Sequence, residues 1–433
     1  MTKFITSIIC FCIISITAFA QGLSDKEKEI LARIDANHAE ALEFLETNVN
    51  INSGTMNFEG VRKVGDNYHD AYEALGFETR WVSQDEVNRA GHFFAEQEGS
   101  EGKSILLIGH LDTVFEEESP FQEYKVLNDS VAAGPGVADM KAGNVMILYA
   151  LKALKEAGAL PNTQILVALT GDEEKAGDPV SVSRKSLTEA AKRSDIALGF
   201  EGASGFSYAT VARRASNSWY LEVEGRQAHS SGVFSDYTGA GSVYEASRIL
   251  SRFYEELQED NLTYNVGMIL GSNAIEYDRE NIRGSASGKL NIVPKKTIVH
   301  GDIRFLTREQ GDRTYKKMEA IVDDHLPQTS AKIEFVERYP PMEPTEGNME
   351  VLDVLSQLSQ DMGLGEVEAF DPGRRGAADI SFIAKYVDGL DGLGVMGRGS
   401  HSPNETLNLK TYKALTKRAA LLIYRLSRQS PEN

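Results

Sequence analysis

The sequence predicts an α/β protein, with a largely parallel sheet covered by helices on both faces and an inserted ferredoxin-like α+β domain. Three apolar runs, at 104–109, 164–169 and 196–200, are typical of strands buried on both faces. Helical patterns separate the runs, and strand–helix–strand alternation favours parallel pairing. Polar residues follow each run directly, at the edge where open α/β sheets hold their active sites. We therefore expect the functional residues to meet at this edge.

Capping and breaking residues define the helices that precede the insert. Ser24 and Glu27 form a capping box, and the amphipathic pattern after them predicts a helix to about Val49. Further helices are predicted over 60–75 and 140–157, with Gly158 ending the last one.

Between residues 213 and 337 the pattern changes to strand–helix–strand–strand–helix–strand, the ferredoxin-like order. We interpret this segment as a lid or dimerisation domain inserted between two parts of a catalytic domain, 21–212 and 338–433. The insert has predicted strands at 218–224, 264–270, 290–305 and 332–337, and predicted helices at 242–257 and 308–326. The chain then returns with a helix at 351–362, a strand at 392–396 and a closing helix at 409–426.

The N-terminus has the features of a signal peptide over residues 1–20. Lys3 supplies positive charge, and the apolar segment 4–16 is too short to span a bilayer. Ala18 and Ala20 fit the small-x-small cleavage rule. We therefore expect an exported protein, periplasmic or secreted; an uncleaved membrane anchor is the alternative.

Composition excludes several classes of function. Both cysteines, Cys10 and Cys12, lie in the predicted signal peptide, so the mature chain would have neither disulfides nor zinc–thiolate sites. The net charge of −19 over 433 residues argues against nucleic acid as a partner. No membrane span is expected in the mature chain. An anionic substrate would need a local positive group on so acidic a protein.

Imidazole and carboxylate side chains that follow the predicted strands form the candidate site. Two histidines with several carboxylates suit a pair of divalent ions, zinc above all, and one spare carboxylate suits a general base. Each residue alone has a plainer explanation, such as a helix N-cap for Asp139, a solvated turn for 173–174 or a loop position for His401. The candidates are His110, Asp112, Asp139, Glu173, Glu174, Glu201 and His401.

Local geometry relates three of these residues to metal binding. His110 and Asp112 are two apart at a strand end, so they face the same side and Asp112 can steady the ring of His110. Asp139 lies at a predicted loop-to-helix junction. From there its carboxylate could bridge two ions about 3.5–4 Å apart.

In order and spacing these residues resemble the di-zinc aminoacylase and carboxypeptidase family, the peptidase family numbered M-twenty. The resemblance extends from 52–55 to the last helix and is closest in pattern to glutamate carboxypeptidase; aminoacylase and succinyl-diaminopimelate desuccinylase are other members. It implies two zinc ions per chain and a catalytic domain interrupted by a lid domain. It also implies these roles: Asp139 bridges the ions, Glu174 and His401 complete one, His110 and Glu201 complete the other, Asp112 supports His110, and Glu173 is the base.

The resemblance extends to the inserted domain. The segment 226–230 resembles a lid motif, which implies that His229 stabilises the oxyanion in a neighbouring subunit's site and that the protein is a homodimer. The segments containing Asn291 and Arg304 resemble the part that binds the substrate's carboxylate, for which a guanidinium is well suited. The alternatives are a loop histidine and a strand-edge arginine paired to an acid.

Two departures from the family pattern concern glycines. Where the family usually has two glycines after the lysine, this chain has Ala142-Gly143 after Lys141. Where the family has a glycine-rich stretch before the residue equivalent to Asp379, this chain has Arg374-Arg375-Gly376. We assign Gly376 to the substrate-binding set, whereas the two arginines either anchor a carboxylate or face solvent. The resemblance further implies a cis peptide after Asp139.

We predict a zinc-dependent metallopeptidase that releases a C-terminal amino acid, with glutamate as a candidate, from short peptides or N-acyl amino acids. Within the resemblance, glutamate at position 201 favours carboxypeptidases and acylases over aminopeptidases. An aminoacylase or dipeptidase on the same scaffold is the alternative, and a non-catalytic peptide-binding envelope protein is a remote one. The spare Glu173 and the lack of cysteine argue against a purely structural zinc site.

Overall fold

The computed structural model describes residues 22–160 and 162–430, so the predicted signal peptide and both cysteines lie outside the described residues. Within those ranges no helix is both long and apolar enough to cross a membrane. The helices are α1 Asp25–Val49, α2 Phe58–Ala74, α3 Ala142–Glu156, α4 Val180–Ser183, α5 Lys185–Ala191, α6 Ser242–Glu256, α7 Arg308–Asp323, α8 Glu346–Asp361, α9 Ile380–Ile383 and α10 Leu409–Leu426. The strands are β1 Glu78–Gln84, β2 Arg89–Gln97, β3 Ile105–His110, β4 Lys125–Asn128, β5 Val131–Ala133, β6 Ile165–Thr170, β7 Ile196–Gly199, β8 Tyr208–Ala209, β9 Ser216–Gly225, β10 Thr263–Ser272, β11 Ala274–Asp278, β12 Arg283–Ser287, β13 Lys296–Arg304, β14 Thr329–Tyr339, β15 Glu368–Ala369, β16 Asp388–Leu390, β17 Gly397–Arg398 and β18 Thr406–Asn408.

The central sheet has the order β1-β2-β6-β3-β7-β16. Strands β6, β3, β7 and β16 are parallel, while β2 pairs antiparallel with β6 and β1 antiparallel with β2. The prediction of a largely parallel sheet is therefore confirmed. The antiparallel edge formed by β1 and β2 was not predicted.

Helices cover both faces of this sheet, as the alternation of side chains along β3 shows. Leu107 joins the larger core, which contains residues of α1, α2, α3 and α10. Its neighbours Leu106 and Ile108 join a smaller core on the other face, with residues of α5 and α9. Burial on both faces explains why the strand is apolar without interruption.

Several predicted element boundaries are wrong, among them the start of α8, which is Glu346 rather than residue 351. Helix α3 begins at Ala142 rather than at residue 140, because Asp139 and Met140 have non-helical backbone angles. The strand predicted at 290–305 begins only at Lys296, after Pro294. The strand predicted at 392–396 is instead β16, which pairs with β7 and ends before Gly392, a residue with φ of +69°.

The inserted segment forms a separate antiparallel sheet of order β10-β13-β9-β14, packed against α6 and α7. Its core contains Trp219, Phe253 and Ile321 and is distinct from the cores of the central sheet. A hairpin of β11 and β12 interrupts the predicted order. The division at 213 and 337 stays a prediction, which this separate core supports.

A small sheet of order β17-β18-β5-β4 brings two loops together at the C-terminal edge of the central sheet. Strand β5 precedes the loop that carries Asp139, and the β17–β18 hairpin carries His401. Because β18 pairs with β5, these two residues become neighbours despite their separation in sequence.

Candidate metal centre and active site

His110 is the last residue of β3, and its ring is oriented by Asp112. Nδ1 of His110 lies 3.0 Å from the backbone carbonyl oxygen of Asp112 and 3.4 Å from its carboxylate. A carbonyl oxygen only accepts, so Nδ1 donates, and a neutral ring keeps its lone pair on Nε2. That nitrogen lies 3.3 Å from Asp139 Oδ1 and 3.6 Å from Glu201 Oε1.

Asp112 is completely buried, and hydrogen bonds fix its carboxylate. Thr55 Oγ1 donates to Oδ2 at 2.6 Å, and the backbone N–H groups of Glu173 and Glu174 donate at 3.0 and 3.1 Å. The same carboxylate therefore ties the end of β3 to the turn after β6.

Asp139 connects two histidines through its two carboxylate oxygens. Oδ1 lies 3.3 Å from His110 Nε2, and Oδ2 lies 3.2 Å from His401 Nε2. Burial opposes the charge of Asp139, but the neighbouring rings of His110 and His401 hold its pKa well below the ordinary value. The peptide bond from Asp139 to Met140 is cis, as expected from the resemblance.

The backbone around Asp139 is held by Glu405, a residue that was not predicted to matter. Glu405 is buried; Oε1 accepts from the N–H groups of Ala138 and Asp139 at 2.7 and 2.9 Å, and Oε2 accepts from Gly136 at 3.0 Å. Three donated hydrogen bonds make Glu405 the anchor between the His401 hairpin and the Asp139 loop. In sequence it looks like any acid beside a loop asparagine, which is why it was missed.

Two overlapping groups of side chains have the geometry of metal sites. Each group offers three ligand atoms that lie within 4.8 Å of one another. We call His110, Asp139 and Glu201 the inner group, and Asp139, Glu174 and His401 the outer group. Asp139 belongs to both. Imidazole nitrogens and carboxylate oxygens are the donors that zinc takes at catalytic sites, so the residues fit such an ion.

The remaining carboxylates of the site carry perturbed pKa values. Burial, together with the charge of Asp139, raises the pKa of Glu201 to about 8. Burial raises the pKa of Glu173 well above its ordinary value, and Glu201 adds to the effect. Carboxyl groups with raised pKa values are typical of functional sites.

A buried ionic network supports the turn that carries Glu173 and Glu174. Arg184 donates to Asp379 at 2.7 Å and to Asp172 at 2.5 Å. His92 lies beside them, accepting from the Gly171 N–H at Nδ1 and bonded to a backbone carbonyl at Nε2. Asp172 directly precedes Glu173, so this network fixes where the turn points. The sequence contained these residues but gave no sign of their proximity.

The predicted residues of the inserted domain do not join the two groups within this chain. His229 is exposed and contacts Ser231 at 2.9 Å and Asn291 at 3.5 Å. Arg304 donates to Asp302 at 3.1 Å. Gly376, in the catalytic part, accepts from a buried arginine through its carbonyl. Their predicted roles stay predictions.

The protein has a largely parallel α/β sheet with an inserted domain, and two groups of histidine and carboxylate side chains lie at the C-terminal edge of the sheet. This combination is typical of metallohydrolases. A sequence profile of the group described as "Peptidase family M20/M25/M40" matches residues 106–425. The chain belongs to this family and is thus a peptidase-type hydrolase, which confirms the resemblance inferred from the motifs.

Individual relatives agree with this assignment. Carboxypeptidase G2 from Pseudomonas sp. (strain RS-16) is 28% identical over 408 residues, which cover 89% of each chain. An aminopeptidase from Bacillus cereus shares the fold with a TM-score of 0.71 at 18% identity, covering 89% of this chain and 98% of that one. A Bacillus subtilis protein described as a dinuclear metal binding peptidase has a TM-score of 0.63 at 13% identity, covering 90% and 98%. The two structural likenesses bear on the fold alone.

Proposed function

We propose that this chain is a two-zinc exopeptidase that hydrolyses the bond before a C-terminal amino acid in short peptides or N-acyl amino acids. The observation that carries the proposal is the position of Asp139, whose two oxygens face His110 on one side and His401 on the other. A carboxylate so placed suits two neighbouring ions.

The ligand assignment follows the two groups. The inner group would hold one ion and the outer group the other, with Asp139 shared. Zinc bound there supplies Lewis acidity and lowers the pKa of water towards about 7. The chain's own contribution is to orient the ligands, chiefly through Asp112 and Glu405.

Glu173 is the proposed general base. It belongs to neither ligand group, and its backbone is fixed by the hydrogen bond to Asp112. Its raised pKa suits a group that accepts a proton from the attacking water and later donates it to the leaving amine.

The substrate class rests on the relative and on the residues that could hold a carboxylate. Carboxypeptidase G2 supports release of a C-terminal residue, and glutamate is our candidate. Arg304, Asn291 and Gly376 remain the proposed substrate contacts. The Arg304–Asp302 ion pair is partly exposed and therefore weak, so a substrate carboxylate could replace Asp302.

We also propose a homodimer in which His229 of the partner subunit stabilises the oxyanion. The exposure of His229 and the fact that it belongs to neither ligand group of its own chain support this part. Light scattering that gave only monomer would contradict it. For export we propose cleavage after Ala20, which N-terminal sequencing of the mature protein checks by finding Gln21 first.

The test of the proposed function is Glu173→Gln. We expect zinc content near two per chain, as in the unchanged protein, with turnover reduced about 10²–10⁴-fold because only the proton acceptor is lost. Glu368→Gln, at an exposed glutamate, is the control. Unchanged turnover in the Glu173 variant would rule out the mechanism.

A substrate panel separates the proposed activity from its alternative. Dipeptides, N-acyl amino acids and folate-like conjugates are incubated with the zinc-loaded protein, and products are identified by mass spectrometry. Release of the C-terminal residue from conjugates supports a carboxypeptidase. Cleavage of simple N-acyl amino acids or dipeptides alone would make the protein an aminoacylase or dipeptidase.

A further inference from the structure

Arg375 lies beside the inner group, on the loop where the family's glycine-rich stretch is replaced by arginines. Its Nη2 donates to the carbonyl of Gly202, the residue that follows the ligand Glu201. Its Nε donates to Thr210 Oγ1 at 3.1 Å. Two hydrogen bonds therefore fix the guanidinium next to the metal centre.

The charge of Arg375 has no dedicated counterion. Among the described residues no carboxylate lies within ion-pair distance of it, and its Nη1 has no hydrogen-bond partner. The acids that interact with it at longer range are Asp391, already paired with Arg213 at 2.8 Å, and the ligands Glu201 and Asp139. Under the proposed function, the charge of those two ligands is shared with the ions.

Such an arrangement is unfavourable unless something compensates for it. Arg375 is partly buried, and Arg213 brings a second positive charge close to it. Even a partly buried cation that has hydrogen bonds but no counterion is electrostatically unfavourable, so binding of an anion here is favoured. On a chain of net charge −19, this is also the kind of local positive group that an anionic substrate needs.

We propose that Arg375 is a specificity-determining residue that binds a carboxylate of the substrate through its free Nη1 edge. A guanidinium recognises a carboxylate by charge and by directed N–H groups. The inference rests on the proposed function, and it names a contact distinct from Arg304, which lies on the inserted domain and pairs with Asp302.

Arg374 provides a matched control. Its guanidinium lies 5.1 Å from the centre of the Phe370 ring, and that of Arg375 lies 5.6 Å from the same ring. Arg374 is exposed, however, and has no hydrogen bond to the residues around Glu201. The two arginines thus share charge, sequence position and aromatic neighbour, but only Arg375 borders the metal centre.

The experiment measures binding in the zinc-loaded Glu173→Gln protein, so that no probe is consumed. Calorimetry gives Kd for N-acetylglutamate, for its α-amide, for its γ-amide and for N-succinylglutamate, with and without Arg375→Ala. We expect the Kd of N-acetylglutamate to rise about 10- to 100-fold in the Arg375→Ala protein, the usual range for a charged hydrogen bond. Arg374→Ala should change it less than twofold.

The amides identify the carboxylate. The amide that lacks the recognised carboxylate should bind weakly to both proteins, and its Kd should change little on Arg375→Ala. If only the Kd of N-succinylglutamate rises, the contact is with the carboxylate on the acyl side. Zinc content and melting temperature are measured for each variant. If Arg375→Ala does not fold, Arg375→Lys is used instead. It keeps the charge but not the bidentate N–H geometry, and it should raise the Kd of the same probe several-fold.

Three results would overturn the proposal. Arg375→Ala could weaken the binding of every probe equally, including the amides, which indicates a structural role, or it could weaken the binding of none. The third result is that the carboxylate probes do not bind to the protein that retains Arg375. Failure of the proposed function shows separately, as absence of hydrolysis in the protein that retains Glu173.

Discussion

The inner and outer groups share Asp139 but differ in how the fold holds their other ligands. His110 of the inner group ends a central strand, and its side chain is 1% exposed. His401 of the outer group lies on a hairpin with a φ of +61°, and its side chain is 60% exposed. The sheet itself fixes the inner histidine, whereas the outer one depends on the contact between its hairpin and the Asp139 loop.

That contact consists of the pairing of β18 with β5 and of the hydrogen bonds of one side chain, Glu405. Glu405 lies on the His401 hairpin and accepts three backbone N–H groups from the loop that ends at Asp139. For the inner group, orientation is spread over Asp112, its carbonyl and the turn that follows β6. The outer ion should therefore be the more sensitive of the two to a single substitution.

The largest effect is expected from Asp139→Asn. Both groups lose a charged ligand in this variant, so both ions should be lost together. Zinc content should fall to near zero and turnover by about a thousandfold or more, since the loss of metal removes several kcal/mol of transition-state stabilisation. Metal analysis after gel filtration and steady-state assays measure this. Asp70→Asn, at an exposed aspartate, is the control. Retention of one ion would mean that Asp139 is not shared.

A smaller, one-sided effect is expected from Glu405→Gln. The amide replaces one of the two acceptor oxygens by an NH2 group, which then faces a backbone N–H donor and loosens the hairpin that carries His401. The affinity for the outer ion should fall about 10- to 100-fold, as is usual for residues that orient ligands, with the inner ion less affected. Chelator titration followed by metal analysis resolves the two steps. Equal weakening of both ions would contradict the comparison.

The smallest effect is expected from Thr55→Val, which removes one of several hydrogen bonds to Asp112. The affinity for the inner ion should fall about tenfold or less. The free energy of unfolding should fall by about 1 kcal/mol, as measured by denaturant titration. A larger fall in affinity for the outer ion than for the inner one would contradict the proposal that Asp112 chiefly orients the inner group.

The sequence allowed prediction of features that depend on local pattern. The closing helix over 409–426 has the predicted bounds, because an amphipathic pattern and the cap at Asn408 define it locally. Three of the proposed ligands, His110, Glu174 and Glu201, lie at the ends of buried strands and meet at one edge, as the topology of a parallel sheet requires. The antiparallel edge was missed because the half-exposed side chains of β1 break the apolar run that marked the other strands.

Residues that act through tertiary contacts could not be found in this way. Glu405 and Arg184 have ordinary neighbours in sequence, and only the fold brings them to the backbone of Asp139 and to Asp172. The sequence shows that Arg375 departs from the family pattern, but it does not show whether the side chain faces solvent or the metal centre. The structure gives it a position beside Gly202.

The exposed hairpin of His401 also bears on how the enzyme responds to its surroundings. If the outer group holds an ion, the exposure of His401 predicts that this ion exchanges without opening of the central sheet and faster than the inner one, so that partly loaded protein should be observed. In an environment poor in zinc, the protein would persist with one ion in place, and its turnover would follow the free metal level from moment to moment.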